Sequence, residues 1–174
     1  MKKRLIPLLL ALLLLSVPAQ ADDSGARDDI LAAMEVYSWF VISPLDVDEE
    51  LLSPDGSMCL VLDDSLHHTQ IVQRYLDYYF CSEISQSLWA WGNYADIDGL
   101  LYGYPYEQCG FARPIDPNIS EVDYELTSET DEEKIYTVTV HYLSSGDSDR
   151  SEALTFVREN IDGQWVFTQF PFFW

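Results

Sequence analysis

Basic residues are scarce in this chain. Its 174 residues include 9 lysines and arginines against 30 aspartates and glutamates, which gives a formal net charge of −21 at pH 7. Nucleic acid and anionic lipid are recognised through lysine and arginine, because these side chains pair with phosphate. We therefore expect no nucleic-acid partner, and the acidity favours solubility and basic partners.

Cysteine and histidine are also few, with three residues of each. Cys59, Cys81 and Cys109 are too widely spread for a disulfide framework, so the sequence allows either one bridge with one free thiol or no bridge. His67 and His68 are adjacent, and adjacent side chains point to different sides of a helix or strand. We therefore predict neither a metal site nor a cofactor.

Motifs that would identify an enzyme are absent from the sequence. It has no glycine-rich phosphate loop, no nucleophile elbow and no recognisable nucleophile sequence around a cysteine. The segment DIDG (96–99) matches part of a calcium loop, but Tyr94 and Pro105 would occupy its first and last ligand positions. We predict a plain turn there. A cysteine-dependent cell-wall enzyme using Cys59 or Cys81 is kept as an alternative.

The apolar run LIPLLLALLLLSV is too short for a confident membrane span and follows the positive segment MKKR. With the small residues of PAQA behind it, the run predicts a signal peptide at 1–21, with an uncleaved anchor as the alternative. We expect a secreted or cell-wall-associated protein with no stable membrane anchor after cleavage. The mature chain then has 153 residues, 6 of them basic, and a net charge near −24.

Helical periodicity dominates the first half of the mature chain. After a short flexible leader at 22–27, apolar residues at helical spacing predict a helix at 28–41, which Pro44 ends. A polar loop is expected at 44–57 and a short buried strand from Met58. Thr69 is predicted to cap a second helix, whose apolar stripe includes Tyr75 and Tyr79. Ser82 is predicted to begin a third helix.

Alternating segments dominate the second half. A short strand LLYGY follows the DIDG turn, and residues 122–128, 135–142, 153–159 and 164–170 alternate like half-buried strands. Polar turns are expected at 129–133 and 144–149, and Asp162-Gly163 is a strong hairpin signal. We predict one α+β domain at 28–174, in which N-terminal helices pack on a C-terminal antiparallel β-meander.

Aromatic residues are the most plentiful candidates for a binding surface. Most of them, including Trp89, Trp165 and Phe167, have a core position to occupy in the predicted fold. Trp91 and Tyr94 have no such position, and interfaces favour tyrosine and tryptophan. We predict partner binding by the loops between helices and sheet, through the residues Trp91, Tyr94, Tyr104 and Tyr106.

Four segments carry a resemblance to a known family: YLDYYFCSEISQSL, DIDGLLYG, YTVTVHY and FVRENIDGQWVFTQF. With these segments, residues 69–170 resemble the IseA-type inhibitors of cell-wall DL-endopeptidases from Gram-positive bacteria. The resemblance implies an exported, non-enzymatic protein. Such a protein docks on the catalytic cleft of an NlpC-type cysteine peptidase and restrains autolysis.

A second class of function fits the same pattern of elements. The cone-shaped cystatin-like fold of SnoaL-like domains also has N-terminal helices against a curved antiparallel sheet, with a ligand pocket between them. In that interpretation Tyr79, Trp89, Trp165 and Phe167 would line a small-ligand cavity.

Overall fold

The computed structural model describes residues 24–109, 117–142 and 150–171. Within these residues the helices are α1 (Ser24–Val41), α2 (Thr69–Tyr79), α3 (Ser82–Ala90) and a short 3₁₀ helix (Tyr106–Gln108). The strands are β1 (Val47–Leu52), β2 (Cys59–Val61), β3 (Tyr94–Ile97), β4 (Leu100–Gly103), β5 (Pro117–Glu129), β6 (Glu133–Tyr142), β7 (Arg150–Ile161) and β8 (Gln164–Gln169). The predicted α+β class is confirmed.

The predicted C-terminal meander forms one antiparallel sheet, sheet B, in the order β5-β6-β7-β8. Its strands alternate as predicted: Tyr136, Val138 and Val140 are buried, and the residues between them are half-buried. The β7–β8 turn is the Asp162-Gly163 pair, whose φ angles are 53° and 88°. Both residues are left-handed, as a two-residue hairpin of this kind requires.

The remaining strands form a second antiparallel sheet, sheet A, in the order β1-β2-β4-β3. The DIDG turn is confirmed, because Asp98 and Gly99 turn between β3 and β4 with φ angles of 55° and 82°. The predicted polar loop at 44–57 is wrong, because β1 lies within it and pairs with β2. Strand β3 was also absent from the prediction.

Three helix starts differ from prediction. Helix α1 begins at Ser24, so residues 24–27 of the expected leader are helical. His68 and Cys81, rather than Thr69 and Ser82, occupy the N-cap positions of α2 and α3, and neither side chain makes a capping hydrogen bond. The predicted signal peptide at 1–21, the predicted turn at 144–149 and residues 172–174 lie outside the described residues. No helix in the described ranges is long and apolar enough to cross a membrane.

Aromatic rings fill the space between the helices and sheet B. Phe80, Phe156 and Phe167 are buried there, and Phe170 lies among them with ring centroids 5.0, 4.3 and 5.0 Å away, respectively. Such tilted and edge-to-face pairs are the arrangements that aromatic rings prefer. The first of the terminal aromatics, Phe170, therefore packs inward.

The stripe predicted on α2 is only partly buried. Val72, Leu76 and Phe80 are buried, because residues four apart lie on one helix face. Tyr79 is half-buried and Tyr75 is 42% exposed, so the prediction of a core position for Tyr75 is wrong. The buried stripe of α2 is therefore narrower than predicted, and the side of it that carries Tyr75 lies at the surface.

The last strand attaches the helices to sheet B. Phe80, directly after α2, forms a parallel bridge with Phe167, and the Cys81 N–H donates to the Phe167 carbonyl at 3.0 Å. The Gln164 side-chain amide donates to the carbonyls of Asp77 and Tyr78 at 2.9 and 3.2 Å. The C-terminal end of α2 is therefore fixed to the edge of the sheet.

One ion pair attaches α1 to the same sheet. The Arg158 guanidinium is 10% exposed; it donates to the Asp29 carboxylate at 2.7 Å and to the Trp165 carbonyl at 3.1 Å. A guanidinium this buried needs an anionic partner, because desolvation of an unpaired charge is costly. Asp29 supplies it from the second turn of α1.

Candidate functional site

The four residues predicted to bind a partner have different surroundings. Trp91, at the C-cap of α3, is 46% exposed, and Tyr106, on the 3₁₀ helix, is 47% exposed. Tyr104 is half-buried and its N–H donates to the Asn93 carbonyl at 3.3 Å. Tyr94 is 7% exposed and belongs to the core, so its prediction as a residue without a core position is wrong.

Tyr94 is a buried anchor behind this surface. Its hydroxyl donates to the Trp39 carbonyl at 2.8 Å and accepts from the Leu45 N–H at 2.7 Å. Its ring meets Phe40 edge-to-face at 5.3 Å and lies directly against Gly103. Burial raises the pKa of the Tyr94 hydroxyl well above its ordinary value. Tyr94 therefore holds the chain after α1 at a fixed position on sheet A.

The segment that Tyr94 holds forms one wall of an open cleft of about 250 Å³, which we call the acidic cleft. Its lining residues are Pro44, Leu45, Asp46, Val47, Glu49, Leu62, Pro105, Tyr106 and Glu107. Three of these residues carry carboxylates and five are apolar. The cleft lining therefore combines apolar side chains with three carboxylates, which suits a basic side chain with an aliphatic stem.

Exposed leucines continue this surface along β1. Three leucines are about half exposed here. Leu51 and Leu52 lie on β1, and Leu62 directly follows β2. Strand β1 is an edge of sheet A, so one side of its backbone is not paired within the sheet. An exposed edge strand that carries carboxylates as well as leucines is a surface on which a basic chain can pair.

A hydrogen-bonded turn fixes this hairpin. The Asp55 carboxylate accepts from the Ser53 hydroxyl at 2.7 Å and from the Ser57 N–H and hydroxyl at 3.0 and 2.8 Å. These donors, Ser53 first, lower the pKa of Asp55 to about 2. The Ser53 hydroxyl in turn accepts from the Met58 N–H at 3.0 Å, so the turn is tied to β2.

The cysteines do not form a nucleophilic site with a histidine in the described residues. All three lie within residues 24–109 and are free thiols, so the alternative without a bridge applies. Cys59 and Cys109 are buried, and desolvation raises the pKa of both thiols, which opposes thiolate formation. Cys81 lines an open depression of about 550 Å³, whose lining includes glutamates and no histidine.

The histidines contact oxygen atoms rather than thiols. The pairs are His67 with the Asp64 carboxylate at 3.5 Å, His68 Nδ1 with the Gly99 carbonyl at 3.4 Å, and His141 Nε2 with the Asp123 carboxylate at 2.9 Å. Within residues 24–109, 117–142 and 150–171, no three histidine, cysteine or carboxylate side chains come together as a metal site.

Sequence reasoning found part of this surface and missed the rest. Tyr106 was predicted and lies in the acidic cleft, whereas Trp91 is not among the lining residues. Strand β1 and its leucines were missed, because VDEELL does not alternate. The Asp55-Gly56 pair that follows was the available signal, since Asp-Gly between two apolar segments is typical of a hairpin.

Comparison with models of known protein families finds no match for this chain, and comparison with curated proteins finds none either.

Proposed function

We propose that this chain is an exported, non-enzymatic binding protein that inhibits cell-wall DL-endopeptidases of the NlpC type. The observation that carries the proposal is the combination of the acidic cleft with the exposed leucines of the β1–β2 hairpin, at a free sheet edge. Its support from the sequence is the resemblance of residues 69–170 to the IseA-type inhibitors.

The charge of the chain supports this kind of contact. A net charge of −21, near −24 for the mature chain, steers the protein toward a basic partner and raises the rate of encounter. Within the contact, Asp46, Glu49 and Glu107 would receive basic side chains at the rim of a peptidase cleft. The exposed leucines would supply apolar area that becomes buried in the contact.

The packing of the interior supports surface binding over a ligand pocket. Phe167, one of the four residues suggested as a pocket lining, is completely buried among Phe80, Phe156 and Phe170. The indole N–H of Trp89 donates to the Gln73 amide oxygen at 2.7 Å. These side chains are used in packing and internal hydrogen bonds, so a small-ligand cone domain is the weaker candidate.

The test is inhibition by the mature chain, residues 22–174, of purified NlpC-type endopeptidases cleaving peptidoglycan. We expect inhibition at micromolar concentration or below, with an association rate that falls as salt is raised, because steering between exposed charges is screened. Several such enzymes retaining their full rates at micromolar inhibitor would contradict the proposed function.

A charge reversal tests where the contact lies. Replacing Glu49→Lys and Glu107→Lys together should weaken inhibition by about 30-fold, because each like-charge contact with a basic partner costs on the order of 1 kcal/mol. The matched control is Glu132→Lys with Glu125→Lys, which makes the same charge change at exposed positions of the β5–β6 turn and of β5. Equal inhibition by both variants would reject the acidic cleft as the contact while leaving the inhibitory function in place.

A further inference from the structure

A second exposed surface lies on the flank of α2, away from the acidic cleft. We call it the tyrosine patch: Ile71, Arg74, Tyr75, Tyr78 and Tyr79 line an open depression of about 520 Å³. Tyr75 is 42% exposed and Tyr78 is 57% exposed. Neighbouring exposed aromatic rings are unusual on a monomer surface and mark a binding site more often than single exposed residues do.

The rings of the patch are held in place by their neighbours. Tyr78 and Tyr79 meet edge-to-face with centroids 4.9 Å apart, and Tyr75 meets Trp39 edge-to-face at 5.7 Å. The end of α2 that carries Tyr78 is fixed to sheet B by the Gln164 amide. Rings that are already ordered lose little rotamer freedom when a ligand covers them.

The charge of the patch differs from that of the rest of the protein. Its lining contains one cation, Arg74, and no carboxylate, although the chain has 30 acidic residues. No carboxylate of the described residues lies within ion-pair distance of the Arg74 guanidinium. The guanidinium donors are therefore available to a ligand.

These charges restrict the chemistry of that ligand. A polyanion is repelled by the net charge of the protein, and the local positive charge of Arg74 opposes a basic segment at the patch itself. A second copy of this acidic chain is repelled by its own net charge. The fitting ligand is neutral, with an apolar face and polar edges.

We propose that the tyrosine patch binds a neutral saccharide chain built of N-acetylhexosamine units. The C–H face of a pyranose ring is apolar and would lie on the exposed rings of Tyr75 and Tyr78. Their hydroxyls and the Arg74 guanidinium would meet the sugar hydroxyls and the acetamido carbonyl at the ring edge. The depression of about 520 Å³ is open, so the sugar would lie on the patch rather than inside a closed pocket.

The saccharide site and the peptidase contact are separate proposals. The tyrosine patch lies on α2, and the acidic cleft is built from residues around β1 and the 3₁₀ helix. A protein with both surfaces would be held on a polymer near its partner by the patch, which raises the effective concentration of the inhibitory surface. Saccharide binding is measured without any peptidase, so failure of one proposal does not count against the other.

The test is titration of the mature chain with chitohexaose, the β-1,4-linked hexamer of N-acetylglucosamine, followed by calorimetry and by protein fluorescence. We expect binding with a dissociation constant on the order of 0.1–1 mM, as suits an open surface with few contacts. Cellohexaose, which has the same rings without acetamido groups, should bind several-fold more weakly.

Three variants locate the binding. Tyr78→Ala should weaken chitohexaose binding at least ten-fold through loss of an exposed stacking ring. Arg74→Gln should reduce the preference for chitohexaose over cellohexaose. The matched control is Tyr106→Ala, which removes a similarly exposed tyrosine from the acidic cleft and should leave binding unchanged.

Unchanged thermal melting would show that each variant is folded. No chitohexaose binding up to about 10 mM by the unaltered chain, at least ten times the expected dissociation constant, would overturn the proposal. Binding that Tyr78→Ala and Arg74→Gln leave at full strength would overturn it equally.

Discussion

Replacing Tyr94 by phenylalanine should destabilise the protein by removing one oxygen atom. The Tyr94 hydroxyl donates to the Trp39 carbonyl and accepts from the Leu45 N–H, and both contacts are shorter than 3 Å. The substitution keeps the ring and leaves both main-chain groups without this partner in a largely buried place. Each such hydrogen bond contributes about 0.5–1.5 kcal/mol, so we expect the free energy of unfolding to fall by about 1–3 kcal/mol.

Urea denaturation of the mature chain measures this difference. The midpoint should fall at an unchanged m-value, because the surface exposed on unfolding stays the same. In a chain of this size the melting temperature should fall by roughly 2–4 °C for each kcal/mol. Tyr106→Phe, which removes a hydroxyl from an exposed ring, is the control and should melt like the unaltered protein. A Tyr94→Phe loss below about 0.5 kcal/mol would refute the anchoring role, since surface substitutions stay within that range.

Three further substitutions test other parts of the structure. Gly103→Ala places a Cβ 3.1 Å from ring carbons of Tyr94, whose hydroxyl is fixed at the far end, so urea denaturation should show a loss of about 1–3 kcal/mol; an unchanged midpoint would contradict this close contact. Asp29→Asn removes the anionic partner of the nearly buried Arg158, and thermal melting should report a loss of about 1.5–3 kcal/mol, whereas an unchanged melting temperature would show that the pair contributes nothing. Asp55 has a pKa of about 2 in the folded chain against an ordinary 3.8, so its hydrogen bonds stabilise the protein above pH 3.8 and this stabilisation is lost as the pH falls through 2. Asp55→Asn should therefore flatten the dependence of stability on pH in that window, and an identical acid dependence would refute the assignment.

Local sequence patterns were sufficient to predict a helix or strand where one face of that element is buried. The strands of sheet B were predicted because valine, threonine and isoleucine alternate along them, and the Asp162-Gly163 turn fixes where the last hairpin folds back. The α-helices were predicted within a few residues of their observed starts. Strand β1 was missed because it is an exposed edge, so nothing buried imposes an alternating pattern on its sequence.

The candidate site depended on contacts that local patterns do not contain. The sequence predicts no core position for Tyr94, because the hydroxyl partners that fix it are distant in the chain. Trp39 and Leu45 lie 55 and 49 residues away. Tyr75 shows the opposite error, because helical spacing cannot fix how wide the buried stripe of α2 is. That width is set by the neighbouring elements: α1, α3 and β8 all contact α2, and in this arrangement Leu76 is buried while Tyr75 stays 42% exposed.

The attachment of α2 to β8 constrains the order in which the chain can fold. Helix α2 is synthesised early, but the Gln164 amide that fixes its end belongs to a strand 87 residues later. Contacts of such long separation form slowly, because the loop between them must first be closed at a cost in entropy. The apolar face of the helices is therefore covered only when the β7–β8 hairpin has formed. In a chain cut short before β8, Leu76 and Phe80 would stay exposed and would promote aggregation.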